Sequence, residues 1–158
     1  QQHDTMWRNR EGKRFEDVSV KLGADFTEKG FQRGSVFVDL NNDGFLDIVV
    51  TSLNRKPRIL MSSGSNANHW LMVDAVGRSS NRDAIGAQMK VTMASGRRLF
   101  NHVTTSVGFM SSSDRRVHFG LGAEQAIASV EIRWPSGAVQ MIPKPAADRI
   151  LKVEEPAQ

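Results

Sequence analysis

The run Ser35-Val36-Phe37-Val38-Asp39-Leu40-Asn41-Asn42-Asp43-Gly44-Phe45-Leu46-Asp47-Ile48-Val49-Val50-Thr51 decides how the first part of the chain folds. Its two ends are β-branched and aromatic, the material of paired strands. Between them Asp39, Asn41, Asp43 and Asp47 stand at loop positions 1, 3, 5 and 9, with Gly44 at position 6. A hard cation such as Ca²⁺ takes about six to eight oxygen ligands, which a chain supplies by curling round the ion. In that reading Asp39, Asn41 and Asp43 point inward, Phe45 offers its backbone carbonyl, and Asp47 closes the ring. Gly44 allows a tight turn at positive φ that a Cβ would resist. Three carboxylates this close repel one another unless a counter-ion lies between them. The sequence therefore predicts a Ca²⁺ loop joining two strands of a hairpin. An EF-hand does not fit, because it needs a Glu at position 12, where Val50 stands, and helices on both flanks. The same residues leave one alternative, an Asx-rich turn held by local hydrogen bonds without metal.

With 158 residues the chain is long enough for one domain, or for one small domain and part of another. An apolar fraction of 39% and a charged fraction of 24% suit a globular protein, and no apolar run is long enough to span a membrane. The opening Gln1-Gln2-His3-Asp4 has neither the basic nor the apolar region of a signal peptide. Cysteine is absent, so disulfides, thiolate metal sites and cysteine nucleophiles are excluded. The net charge of +4 and pI near 9.9 raise the question of nucleic acid. The basic residues are scattered, with pairs only at such places as Arg97-Arg98 and Arg115-Arg116. That pattern is a solvated surface, and no nucleic-acid partner is expected.

Residues 5–64 read as one repeat unit with the tail of a preceding one. Thr5–Gly12 and Arg58–Gly64 share one shape: an apolar strand, a polar turn, then glycine. Trp7 and Leu60 are 53 residues apart, and Gly12 and Gly64 are 52 apart. A period near 50 with short strands between is that of propeller blades. Phe15–Ser19, Ser35–Leu40 and Leu46–Thr51 supply the remaining strands of a blade expected to be a four-stranded sheet. The stretch Ser62-Ser63-Gly64-Ser65-Asn66-Ala67-Asn68 has no large apolar residue and reads as a linker. Two domains are expected, 1–64 a blade fragment and 65–158 a second unit.

After the linker come His69–Val76, Gly86–Ala94, Arg97–Thr105, Arg115–Gly120, Ile127–Trp134, Ala138–Ile142 and Arg149–Glu154, all strand-like. Alternation is clear in Leu71/Val73, Met89/Val91/Met93, Val117/Phe119, Val130/Ile132/Trp134 and Val139/Met141. Ser95-Gly96 and Pro135-Ser136-Gly137 supply hairpin turns. The expected fold is all-β, a partial propeller blade followed by an antiparallel, jelly-roll-like β-sandwich. Trp134 should enter the core. Trp70, in the opposite register to Leu71 and Val73, should face the blade. Phe109-Met110, between Gly108 and Ser111, reads as an apolar loop tip that either caps the sandwich or is exposed to a partner.

The residues Phe37–Val50 resemble an FG-GAP/VCBS propeller repeat, whose calcium loop reads D-x-D/N-x-D-G-x-x-D. Asn68-His69-Trp70-Leu71, Ser80-Asn81-Arg82-Asp83-Ala84-Ile85-Gly86-Ala87, Val117-His118-Phe119-Gly120-Leu121-Gly122 and Ile132-Arg133-Trp134-Pro135-Ser136-Gly137 resemble the ASPIC/UnbV domain, which often follows such repeats. Members of that family are secreted or envelope proteins, including bacterial repeat proteins and the cartilage acidic protein of animals, and the name also touches enediyne biosynthesis clusters. The resemblance implies the C-terminal part of a larger protein, whose remaining blades would be partners of this chain. Asn41 stands where the repeat more often has Asp, which lowers the ligand charge.

No catalytic constellation is legible. His3, His69, His102 and His118 are far apart in sequence, and Ser106, Ser111, Ser112 and Ser113 lack a G-x-S-x-G elbow. A triad would need the fold to bring His102 or His118 to Asp114 and a serine. Arg82-Asp83 reads as a loop ion pair or turn former. The expected function is a non-enzymatic, calcium-binding adhesion or recognition module, secreted or at the cell envelope, with an extracellular protein or glycan as partner. Two other readings are a carbohydrate-binding module, which needs an exposed aromatic platform, and an accessory protein of secondary metabolism, which needs a pocket joining His102 or His118 to acids.

Overall fold

The computed structural model describes residues 1–10, 12–64 and 67–157. Ser65 and Asn66 of the predicted linker, and Glu11 of the first polar turn, lie outside the described residues. The chain is all-β. The first part holds β1 (Trp7–Arg10), β2 (Arg14–Asp17), one 3-10 turn (Ser19–Leu22), the single-turn helix α1 (Ala24–Thr27), β3 (Gln32–Val38), β4 (Asp47–Ser52) and β5 (Arg58–Leu60). The second part holds β6 (His69–Val76), β7 (Gln88–Met93), β8 (Arg98–His102), β9 (Val117–Gly122), β10 (Ile127–Arg133), β11 (Val139–Pro143) and β12 (Arg149–Glu154). Every strand expected from the sequence is present.

The pairing of the first part departs from a single four-stranded blade. β1 and β2 form their own antiparallel hairpin, and β3-β4-β5 form a three-stranded meander. Residues 19–27, which have no strand period, fold into the 3-10 turn and helix and separate the two. Among the described residues this part buries only two apolar side chains, Phe26 and Val50, while Trp7, Phe15, Phe31 and Ile59 are exposed. So small an apolar core cannot stabilise a unit of this size alone. Arg58 ties the piece together internally, reaching the Asp4 carboxylate and the Asp25 carbonyl.

The second part is a sandwich of a four-stranded sheet, β11-β10-β7-β8, on a three-stranded sheet, β12-β6-β9. Alternation puts Leu71, Val73 and Ala75 of β6, Val117, Phe119 and Leu121 of β9, and Met89, Val91 and Met93 of β7 into one buried core. Val130 and Ile132 of β10 complete it together with Trp134, whose indole N–H donates to Gln140 Oε1 at 3.1 Å. One pairing is not antiparallel: β12 runs parallel to β6, from Arg149 beside Leu71 to Glu154 beside Val76. Residues 144–148 carry the chain from β11 across to the other sheet, and a crossover is not bound to the reversal a hairpin imposes.

β12 ends in a clasp that the sequence did not announce. Glu155 is buried and accepts the backbone N–H groups of Arg78 and Ser80, each at 2.7 Å, and the hydroxyls of Ser80 (2.8 Å) and Ser136 (2.5 Å). Burial alone would push its carboxyl pKa up. The four donors, led by Ser136, overcome that and hold it at about 2 against an ordinary 4.5. The clasp joins the 77–80 turn, the β10–β11 turn and the chain end. Asn81 closes the next loop, exchanging hydrogen bonds with the backbone of Ile85. Arg82-Asp83 forms no ion pair of its own among the described residues; Asp83 lies 4.0 Å from Arg115 instead.

Above pH 4.5 Glu155 is ionised in both folded and unfolded chains, and its stabilisation is complete; as the pH falls from 4.5 towards 2 the unfolded chain takes up the proton first and the stabilisation is lost. Glu155→Gln should lower the melting temperature at pH 7 and flatten its fall over that acid window. Melting curves from pH 7 to pH 2 that superimpose in shape for the two proteins would contradict the clasp.

Candidate functional site

The β3–β4 connection carries the predicted ligands. β3 ends at Val38 opposite Asp47 of β4, so residues 39–46 form the loop. Asp39 and Asp47 are 2% and 0% exposed, whereas Asn41 and Asp43 are exposed and Phe45 is half-buried. The acidic and amide side chains bind the loop's own backbone. Asp39 accepts from the N–H groups of Asp43 (3.1 Å) and Gly44 (2.8 Å). Asp47 accepts from Leu40 (3.0 Å) and Ser62 (2.8 Å), which joins the loop to the chain after β5. Asp43 accepts from Phe45 N–H at 2.8 Å and from the Asn41 amide at 2.7 Å. These bonds are those of an Asx-built turn. Among the described residues no three His, Cys, Asp or Glu side chains converge on a point that would hold a metal ion.

The donor set can nevertheless be weighed against a hard cation. A carboxylate oxygen has two lone-pair directions, and the amides named above take one at each oxygen of Asp39 and Asp47. Neither residue has a salt-bridge partner among the described residues, although both are buried; Arg116 binds the Asp39 carbonyl and feels the Asp39 charge without bonding its carboxylate. Amides satisfy the hydrogen-bonding capacity of such groups, but they do not cancel the charge. The oxygen chemistry of Asp39, Asn41, Asp43, Asp47 and the Phe45 carbonyl therefore fits Ca²⁺.

The loop does not stand free. β6 and β9 turn Trp70, Met72 and His118 outward, away from the sandwich core; the loop lies on Trp70 and His118, and Met72 lines the cleft beside it. Gly44 has φ +86° and packs beneath the Trp70 indole, where any Cβ would overlap the ring. Trp70 and His118 stack with their centroids 6.4 Å apart and planes at 10°. His118 Nε2 lies 2.8 Å from the Gly44 carbonyl, so that nitrogen carries the proton and donates. Arg116 donates to Asn42 Oδ1 at 2.6 Å and to the Asp39 carbonyl at 3.0 Å while Asp114 holds its other side at 2.7 Å. Trp70 thus meets the first part of the chain, at the β3–β4 loop, on the face its register suggested. Arg116 and His118 were missed as loop contacts. Their only signal was shared register with Trp70, on a neighbouring strand whose pairing a sequence does not show.

A cleft of about 260 Å³ lies between this sheet and the sandwich, lined by Phe37, Leu46, Met72, His102, Asp114 and His118 among others. It brings together the residues of the hypothetical triad, but His118, Asp114 and Ser113 have their polar atoms engaged elsewhere. His118 serves Gly44, Asp114 serves Arg116, and Ser113 Oγ accepts the Phe37 N–H at 3.1 Å. The Phe109-Met110 tip is exposed, with Met110 in the left-handed region at φ +46°.

Fold and site together define an all-β protein in which a two-sheet sandwich receives an acidic loop on one outer face. Residues 77–158, just over half of the chain, match the family described as ASPIC and UnbV, and the chain belongs to that family. The match begins after β6, yet β6 is the middle strand of its sheet, so the folded sandwich extends N-terminal to the matched residues. No curated protein matches the chain.

Gly44→Ala adds both a left-handed backbone penalty and a clash with Trp70, and should cost about 2–5 kcal/mol in denaturant unfolding. Gly96→Ala, at φ +90° with open space around it, should cost only the backbone share, about 1–2 kcal/mol. Equal losses for the two variants would mean that the loop does not dock on Trp70.

Proposed function

We propose that the chain is a non-enzymatic, calcium-stabilised recognition module that acts outside the cytoplasm, the 39–47 loop being a structural Ca²⁺ site held by Asp39, Asn41, Asp43, Asp47 and the Phe45 carbonyl. The observation that carries this reading is the pair of buried carboxylates, Asp39 and Asp47, whose oxygens are bound by backbone amides and, among the described residues, by no salt bridge, Arg116 reaching only the Asp39 carbonyl. A divalent ion supplies the missing charge and strengthens the turn that seats Gly44 under Trp70. Its role is to stiffen the join between residues 1–64, read as an FG-GAP/VCBS-like blade fragment, and residues 65–158, the sandwich. Extracellular calcium modules work at dissociation constants of about 10⁻⁴–10⁻³ M, and a loop with Asn41 in place of a third inner acid suits that weak range.

The blade reading rests on the Phe37–Val50 motif and on the apolar residues that the first part leaves exposed. Further blades of a parent chain would be the natural cover for them. An accessory or catalytic role in secondary metabolism gains little from the cleft, since His118, Asp114 and Ser113 are already committed to structural bonds and, of these candidates, only His102 has a ring with no bond of its own among the described residues. No helix is long and apolar enough to cross a membrane.

Calcium at tenfold its dissociation constant should stabilise the chain by about 1.4 kcal/mol, seen as a rise in melting temperature that EDTA reverses. Asp43→Ala, on an exposed ligand, should fold normally and lose the response. Calcium that leaves the melting of the unsubstituted protein unmoved, or that shifts both proteins equally, would overturn the site.

A further inference from the structure

The sandwich has a second outer face, that of β11-β10-β7-β8, on the side opposite the loop. Strand register orders its outward side chains into rows. Phe100 of β8 lies beside Lys90 of β7, Lys90 beside Glu131 of β10, and Glu131 beside Met141 of β11. The next row is His102, Gln88, Arg133 and Val139. No described segment covers Phe100, which is 71% exposed on the edge strand β8. Shallow clefts flank it: one of about 460 Å³ reaches Gln88, Lys90, Glu131 and Arg133, and one of about 470 Å³ reaches Gln88 and His102.

The charge on this face is unbalanced. Lys90 and Glu131 pair at 2.6 Å and neutralise each other. Arg133, and Arg98 further along β8, have no ion pair among the described residues. An exposed phenyl ring beside an amide and unpaired guanidinium groups matches one ligand chemistry closely. A pyranose lays its apolar C–H face on an aromatic ring, its hydroxyls exchange hydrogen bonds with an amide such as Gln88, and a carboxylate or sulfate takes a guanidinium fork. Phe100 and Arg133 lie on strands two apart, roughly 10 Å at ordinary sheet spacing, about the reach of a disaccharide. The surplus of cations disfavours a second copy of the same face as occupant.

We propose that this face, with Phe100 as platform, Arg133 as anion clamp and Gln88 as hydroxyl partner, binds an anionic polysaccharide. The proposal rests on the recognition half of the function above but not on calcium, because the loop docks on the other sheet.

The test is calorimetric titration of the full chain, in EDTA at about 0.15 M salt, where long-range attraction is largely screened. Polygalacturonate probes a carboxylated chain, heparin oligosaccharides a sulfated one, and dextran and single-stranded oligo-dT serve as neutral and non-sugar controls. Binding of either anionic glycan in preference to both controls is expected, and the one bound names the acid group. Phe100→Ala and Arg133→Gln, both at exposed positions, should each weaken it roughly tenfold, the loss of one charge-assisted or stacking contact, with melting unchanged. The proposal is overturned by no glycan binding, by binding of equal strength in the substituted proteins, by oligo-dT binding as tightly, or by a dimer that Phe100→Ala dissolves. Working in EDTA keeps this outcome independent of the calcium site.

Discussion

The seat of the Gly44 turn beneath Trp70 holds the two parts of this chain in one arrangement. Residues 1–64 bury too little apolar surface to stand alone, whereas the sandwich has a full core of its own. The join works because a backbone without a Cβ can approach an indole face closely. The His118 bond to the Gly44 carbonyl and the Arg116 bonds to Asp39 and Asn42 then fix the turn against sliding. The edge of β3 adds to this: Phe37 accepts the Asp114 N–H and donates to Ser113.

Buried carboxylates in the molecule are handled in two ways. Glu155 is surrounded by four donors from two turns, and the sum of those bonds outweighs desolvation and keeps it ionised to about pH 2. Asp39 and Asp47 each receive two backbone amides. The first arrangement is complete within the chain, whereas in the second no salt bridge among the described residues reaches the carboxylates, Arg116 acting on Asp39 only from its carbonyl side. That contrast is the physical basis on which a cation is proposed for the loop and none for the clasp.

The sandwich also treats its two outer faces differently. On the three-stranded sheet the outward Trp70 and His118 are covered by the acidic loop. On the four-stranded sheet the outward rows mix one aromatic, two apolar residues at the far edge, and cations in excess of acids, and they stay open to solvent. One face is thus partly covered within the chain, while the other stays open among the described residues.

Much of this was legible in the order of residues. Period-2 alternation located the strands, because a pleated chain puts every second side chain on one side. Trp134 went to the core and Trp70 to the opposite face for the same reason. The acidic loop was recognisable because its ligand-type residues are neighbours in sequence. What required the tertiary structure was everything that joins distant positions. β12 pairs parallel to β6 because a crossover sets strand direction, and no local pattern encodes that choice. The β1–β2 hairpin stands apart from β3-β4-β5 because residues 19–27 coil between them. Glu155 meets Ser80 and Ser136 across 75 and 19 residues, and Arg116 meets Asn42 across 74. Periodicity reports which side of a strand a residue faces, but which strand lies opposite is decided by long-range packing alone.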